Sequence, residues 1–154
     1  MKNAVKISLK VIKWFLITIF LSVLVFLISI PIVNDFSARH AASEIAALPL
    51  PQNTRIVERV SRADKLVGSG NGMQFFGAVL LESDLSLEEL ENHYAAYRKE
   101  DWQYIVEVQN TQKISVIEHG SLSFKTDVSN GNFYIVYSWG DGISPFQDFD
   151  LRGH

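Results

Sequence analysis

The sequence predicts an α+β protein. An N-terminal transmembrane helix precedes a β-β-α-β-β-β domain, a mostly antiparallel sheet with one helix packed on one face. Three observations carry this expectation. One uninterrupted apolar run stands near the N-terminus, from Trp14 to Val33. Beyond Pro51 the apolar period changes from helical to alternating. A single well-capped helix, opening at Ser86, interrupts the alternating segments.

The run "WFLITIFLSVLVFLISIPIV" contains twenty residues and no charge. At 1.5 Å per residue it spans about 30 Å, the thickness of a bilayer's hydrocarbon core. Its polar members are Thr18, Ser22 and Ser29, whose hydroxyls can bond back to helix carbonyls. Trp14 stands at one edge, where an indole favours the interface. Lys2, Lys6, Lys10 and Lys13 precede the run, so the positive-inside rule predicts a cytoplasmic N-terminus and residues 34–154 outside. The competing reading is a cleaved signal peptide, whose apolar region is about 7–15 residues with small residues close behind. Here the first tolerable cleavage pattern, Ala41-Ala42-Ser43, ends ten residues past Val33, which favours an uncleaved anchor. Pro31, near the outer end, permits a kink.

Residues 35–48, "DFSARHAASEIAAL", are alanine-rich and helix-competent, with Ala41, Ile45 and Leu48 at helical spacing. They extend the membrane helix as a stalk, which "LPLP" at Leu48–Pro51 ends. This divides the chain into a basic cytoplasmic start (1–13), the membrane helix (14–33), a helical stalk and proline linker (34–51) and an extracytoplasmic domain (52–154).

Within the domain, Thr54–Val60 is a plausible first strand and Gln74–Ser83 a second. In the second, Phe75, Val79 and Leu81 alternate with Phe76, Ala78 and Leu80, so both faces are apolar and the strand is central. Between them lies "GSGNGM", where Asn71-Gly72 reads as a type I′ hairpin turn. A phosphate loop would need to feed a helix, and this one feeds a strand. Ser86 and Glu89 form a capping box for a helix whose apolar stripe is Leu87, Leu90, Tyr94 and Tyr97. Three or four strands follow, from the segments Trp102–Val108, Lys113–Glu118, Ser121–Lys125 and Asn132–Trp139, the middle two shorter, with turn signals at His119-Gly120 and Ser129-Asn130-Gly131.

Charge and composition limit the chemistry. The net charge is −3, but residues 51–154 carry nine Lys/Arg against fifteen Asp/Glu. An acidic body argues against nucleic acid, which needs a basic face. No cysteine is present, so disulfides and thiolate chemistry drop out. The four histidines, His40, His93, His119 and His154, show no metal-ligand spacing, and no G-x-S-x-G or S-x-x-K motif supports a nucleophile. The sequence therefore predicts no enzyme, no cofactor and no metal centre. The C-terminal stretch gathers Asp141, Asp148, Asp150, His154 and the terminal carboxylate, hard oxygen ligands of the kind Ca²⁺ takes, without EF-hand spacing. Arg152 is placed to pair with a surface carboxylate, and Ile143, Phe146, Phe149 and Leu151 favour a tail packed on the domain.

The plan resembles that of small single-pass bacterial membrane proteins with a compact α+β outer domain and no characterised activity. The resemblance rests on "LPLP" at Leu48–Pro51, "GNGM" at Gly70–Met73 and the helix start Ser86–Tyr94. It implies architecture and localisation at the cell membrane, and no mechanism. The functional expectation is a non-catalytic, membrane-anchored binding or accessory module that recruits a protein partner, a membrane subunit or a second copy, through a sheet face that one helix cannot cover. Its candidate surface is Asn71, Tyr104, Tyr134 and Trp139 with Asp141, Asp148, Asp150 and His154. The alternative is a small-ligand or cation sensor using the acidic C-terminal region.

Overall fold

The structure is a computed structural model that describes the backbone of residues 2–98, 103–140 and 144–154, and side chains over 9–98, 103–139 and 144–154. Trp102, Asp141 and Ile143 lie outside the described residues. Helix α1 (Lys2–Ala47) leads into strands β1 (Thr54–Asp64) and β2 (Gln74–Ser83), helix α2 (Leu87–Ala95), and strands β3 (Ile105–Val108) and β4 (Phe133–Gly140). Two 3₁₀ turns, Gln147–Phe149 and Leu151–Gly153, close the chain. The sheet is antiparallel in the order β1-β2-β4-β3, with β2 central as its two apolar faces require.

Helix α1 is one element of 46 residues that continues through Pro31. Its two halves meet different surroundings. The most apolar 18-residue window has a mean hydropathy of 2.9 and is only 6% buried, which rules out the core helix of a water-soluble fold for that half. Thr18 and Ser29 hydroxyls donate to the carbonyls of Trp14 and Phe26, so the apolar half carries no unsatisfied hydroxyl at those positions. Past Pro31 the helix turns a small-residue face to the sheet: Asn34, Ala38, Ala41, Ala42 and Ile45 are all buried. The segment read as a stalk is therefore a helix of the packed domain.

Gly77 permits that packing. A Cβ at this position of β2 would lie 2.7 Å from the Ala41 carbonyl carbon and closer still to the Ala42 nitrogen. Helix and strand backbones approach so closely because Gly77 and the alanines facing it put almost nothing between them.

Farther along the same face, α2 supplies Leu90 and Tyr94 against Val79, Leu81, Val106 and Val136. The capping box forms as expected: the Glu89 N–H donates to Ser86 Oγ and the Ser86 N–H to the Glu89 carboxylate at 2.8 Å. His93 Nε2 lies 2.7 Å from the Pro49 carbonyl oxygen and ties the proline linker to α2.

The other sheet face is covered by residues 109–132. The two short strands expected at Lys113–Glu118 and Ser121–Lys125 reduce to one bridge, Lys113 with Ser123. Ile114 and Ile117, three apart, bury together with Phe124, so the segment collapses as a turn into the cluster of Phe76, Leu80 and Ile135 instead of lying flat as a ladder. Side chains replace the missing backbone partners. The Glu58 carboxylate accepts from the N–H groups of Lys125 and Thr126 and from the Thr126 hydroxyl, at 2.9–3.0 Å. Burial opposes its ionisation, but those bonds outweigh it and hold its pKa below the ordinary value.

The glycine-rich loop also departs from a two-residue turn. Strands β1 and β2 stop at Asp64 and Gln74, leaving residues 65–73 between them. A type I′ turn needs positive φ at both central residues, and Asn71, unlike Gly72 (φ 146°), lacks it. The Gln74 side chain substitutes for the ladder: its Oε1 accepts from the N–H groups of Leu66 and Val67, each at 2.8 Å. The Gly68 N–H does meet an anion, the chain's own Glu118 carboxylate at 2.8 Å. Gly72 donates to the Gly153 carbonyl at 2.7 Å, so the loop is braced against the C-terminus.

Candidate functional site

The sequence-predicted surface residues do not converge. Tyr104 and Tyr134 are buried with the α2 face, and the Tyr134 hydroxyl donates to the Leu85 carbonyl at 2.9 Å. Their alternation marks core, because both faces of the β3–β4 end are covered. Trp139 is half-buried, its ring 5.0 Å from that of Phe76. Asn71 is exposed at the loop tip, and Asp148 and His154 are exposed near the C-terminus. Asp141 lies outside the described residues. Among the described residues no group of three or more His, Cys, Asp or Glu side chains comes together as a metal site.

Asp150 behaves differently from its acidic neighbours. It is buried, accepts from Asn34 Nδ2 at 2.7 Å, and pairs with Arg152 at 2.8 Å. Arg152 also pairs with Asp35 at 2.8 Å and donates to the Pro31 carbonyl at 3.3 Å. Ser144 donates to Asn34 Oδ1, completing a clasp between α1 and the tail. The Arg152 hydrogen bond, against an opposing burial effect and with help from Asn34, draws the Asp150 pKa down to about 2. Asp150, and behind it Asp35, in turn push the Arg152 pKa up. The sequence places Arg152 at the surface with a carboxylate, where a pair adds little. The partner is instead a buried carboxylate, and the pair belongs to the tertiary structure.

Above this clasp the sheet stays open at its β1 end. Among the described residues strand β1 pairs with β2 alone, and it is half-buried or exposed at every position except Ala63. A groove runs between β1 and α1 in two adjoining recesses. One, of about 370 Å³, is lined by Asp35, Arg39, Ser61, Arg62, Asp64 and Arg152. The next, of about 260 Å³, shares Arg39 and Ser61 and adds Ser43 and Arg59. Asp64 is occupied by Arg62 at 3.0 Å and Asp35 by Arg152. Arg39 and Arg59 are exposed and make no ion pair among the described residues. Two uncompensated guanidiniums therefore face an open edge strand on an otherwise acidic domain.

Sequence reading passes over these residues because Arg39 and Arg59 fall on different elements, in no motif. The available signal is the presence of three arginines, Arg55, Arg59 and Arg62, along one strand, with Arg39 one helix turn past Asp35. Comparison with protein-family models, with characterised proteins and with solved structures finds no match, so the site is read from its own geometry.

Proposed function

We propose that this chain is a non-catalytic, extracytoplasmic binding module of a bacterial membrane, which recruits a partner protein through the groove between α1 and β1. The single-pass anchor fixes the module at the membrane surface, and the basic N-terminal flank favours a cytoplasmic N-terminus. Cleavage near Ala41–Ser43 would take Asn34 and Ala38 out of the fold, which supports an anchor that is retained.

The observation that carries the recruitment reading is the coincidence of an unpaired edge strand with two uncompensated arginines. Among the described residues the outer edge of β1 makes no backbone hydrogen bond. Such an edge accepts an added strand, and Arg39 and Arg59 would select an acidic one. The groove is open and shallow, mainly polar in its first recess and mixed in its second, better suited to an extended segment than to an enclosed small molecule. A cation sensor is less well supported, since Asp150 is already neutralised by Arg152.

A photoreactive amino acid at Ser61, in native membranes, should give a discrete adduct that the double variant R39E/R59E loses. The same probe at exposed Ser121 should give none. An adduct indifferent to the charge reversal, or no adduct at Ser61, would refute the proposal.

A further inference from the structure

The C-terminal tail reaches farther down α1 than the boundary of an aqueous domain allows. The Phe146 and Phe149 rings sit 5.6 and 6.0 Å from the ring of Phe26. Phe26 is seven residues before Val33, about 10 Å inside the outer end of the apolar run. Beside it, Leu27, Ile30 and Pro31 form with Phe149 and Leu151 a mainly apolar groove of about 470 Å³, rimmed by Asp150 and Arg152. Large apolar side chains stay uncovered here: Leu151 is 85% exposed and Phe149 59%. This patch is continuous with the lipid-facing surface of α1, where Leu24, Leu27 and Ile28 are likewise exposed.

We infer that the outer leaflet of the bilayer covers this patch, so that Phe146–Leu151 is an interfacial wedge and an acyl chain lies in the groove beside Leu27 and Ile30. Three features fit a lipid environment. The wedge is tied to a helix that already spans the membrane, so its depth is set by that helix. Irregular backbone tolerates low dielectric only when its donors are satisfied internally. Here five of the seven N–H groups from Phe146 to Arg152 have internal acceptors: those of Gln147, Phe149 and Asp150 bond within the turn, Phe146 donates to Ser144 Oγ, and Arg152 donates to the Asp150 carboxylate. Arg152 and Asp150 sit at the level of Pro31–Asp35, where the headgroup layer begins, and neutralise each other there. Asp148 makes no ion pair among the described residues, which stops the seat at the headgroup boundary, the depth of other interfacial elements.

The inference rests on the anchor and not on the partner groove, and the test separates the two. The chain has no cysteine, so single substitutions L151C, F149C, L24C and S121C each take one environment-sensitive label. The full-length protein would be placed in nanodiscs of phosphatidylcholine and phosphatidylglycerol, with and without acyl-chain-brominated lipid. Labels at 151 and 149 should be quenched by brominated lipid and shielded several-fold from a water-soluble quencher relative to 121. A melting curve matching that of the parent protein shows each variant is folded. If position 24 is lipid-quenched while 149 and 151 are as wet as 121, the wedge is refuted and the anchor stands. If 149 and 151 are shielded but brominated lipid leaves them bright, protein covers the patch and the wedge is also refuted. If position 24 itself escapes lipid quenching, the anchor fails and the wedge with it.

Discussion

Asp150 shows how one buried carboxylate joins two ends of a chain. Its contact with Asn34, and that of its neighbour Arg152 with Asp35, each span more than a hundred residues of sequence, so they form only when α1 and the tail are both in place. Asp150→Asn keeps the shape but removes the charge, leaving a partly buried Arg152 with Asp35 as its remaining carboxylate. Because Arg152 is about a third exposed and keeps that partner, the cost should be about 1–3 kcal/mol, below that of a fully buried broken pair. The pH dependence has a definite sign. The folded pKa, about 2, lies below the unfolded value of about 3.9, so this stability is fully present above that value and is lost as pH falls toward 2. Chemical denaturation in micelles should show the wild-type and variant curves converging over that window; a constant gap would contradict the assignment. The sequence shows Arg152 and the acids but not that α1 encloses the local Asp150–Arg152 pair, because Asn34 and Asp35 lie at the far end of the chain. Arg39 and Arg59 fall on different elements, which only the docking of α1 on β1 brings together.

At the scale of elements, the legible parts were those with local causes. The apolar run, the alternating β2 and the Ser86–Glu89 box each carry their reason within a few residues, and each forms as expected. Elements whose reasons lie elsewhere were misread. Lys113–Lys125 alternates enough to suggest strands, yet it stays irregular, its far end held by the Glu58 carboxylate from across the fold. Residues 34–47 look like a stalk because alanine is helix-prone, whereas small residues are what close packing against Gly77 demands. Gly77→Ala should cost about 1–3 kcal/mol by forcing α1 off the strand. Gly70→Ala, with no neighbour within 4 Å of the added Cβ and no positive φ, should stay within about 0.5 kcal/mol of the parent. Parallel melts of the two variants check this, and equal stabilities would show that helix and strand do not meet there.

At the scale of the whole molecule, α1 is both anchor and core. A domain on a flexible stalk would present any face to the membrane, whereas a domain built on its own membrane helix holds the β1 groove at a fixed height. That fixed height is what would let the module meet an extended segment of a membrane partner. The most direct measurement compares two fragments in mild detergent, residues 30–154 and 52–154, by thermal unfolding and amide spectra. The first retains Asn34, Ala38, Ala41, Ala42 and Ile45 against the sheet; the second loses all five. Residues 30–154 should unfold cooperatively with dispersed amide signals, and residues 52–154 should show neither. A fragment 52–154 that melts cooperatively at the same temperature as 30–154 would contradict the claim, returning residues 34–47 to the status of a stalk.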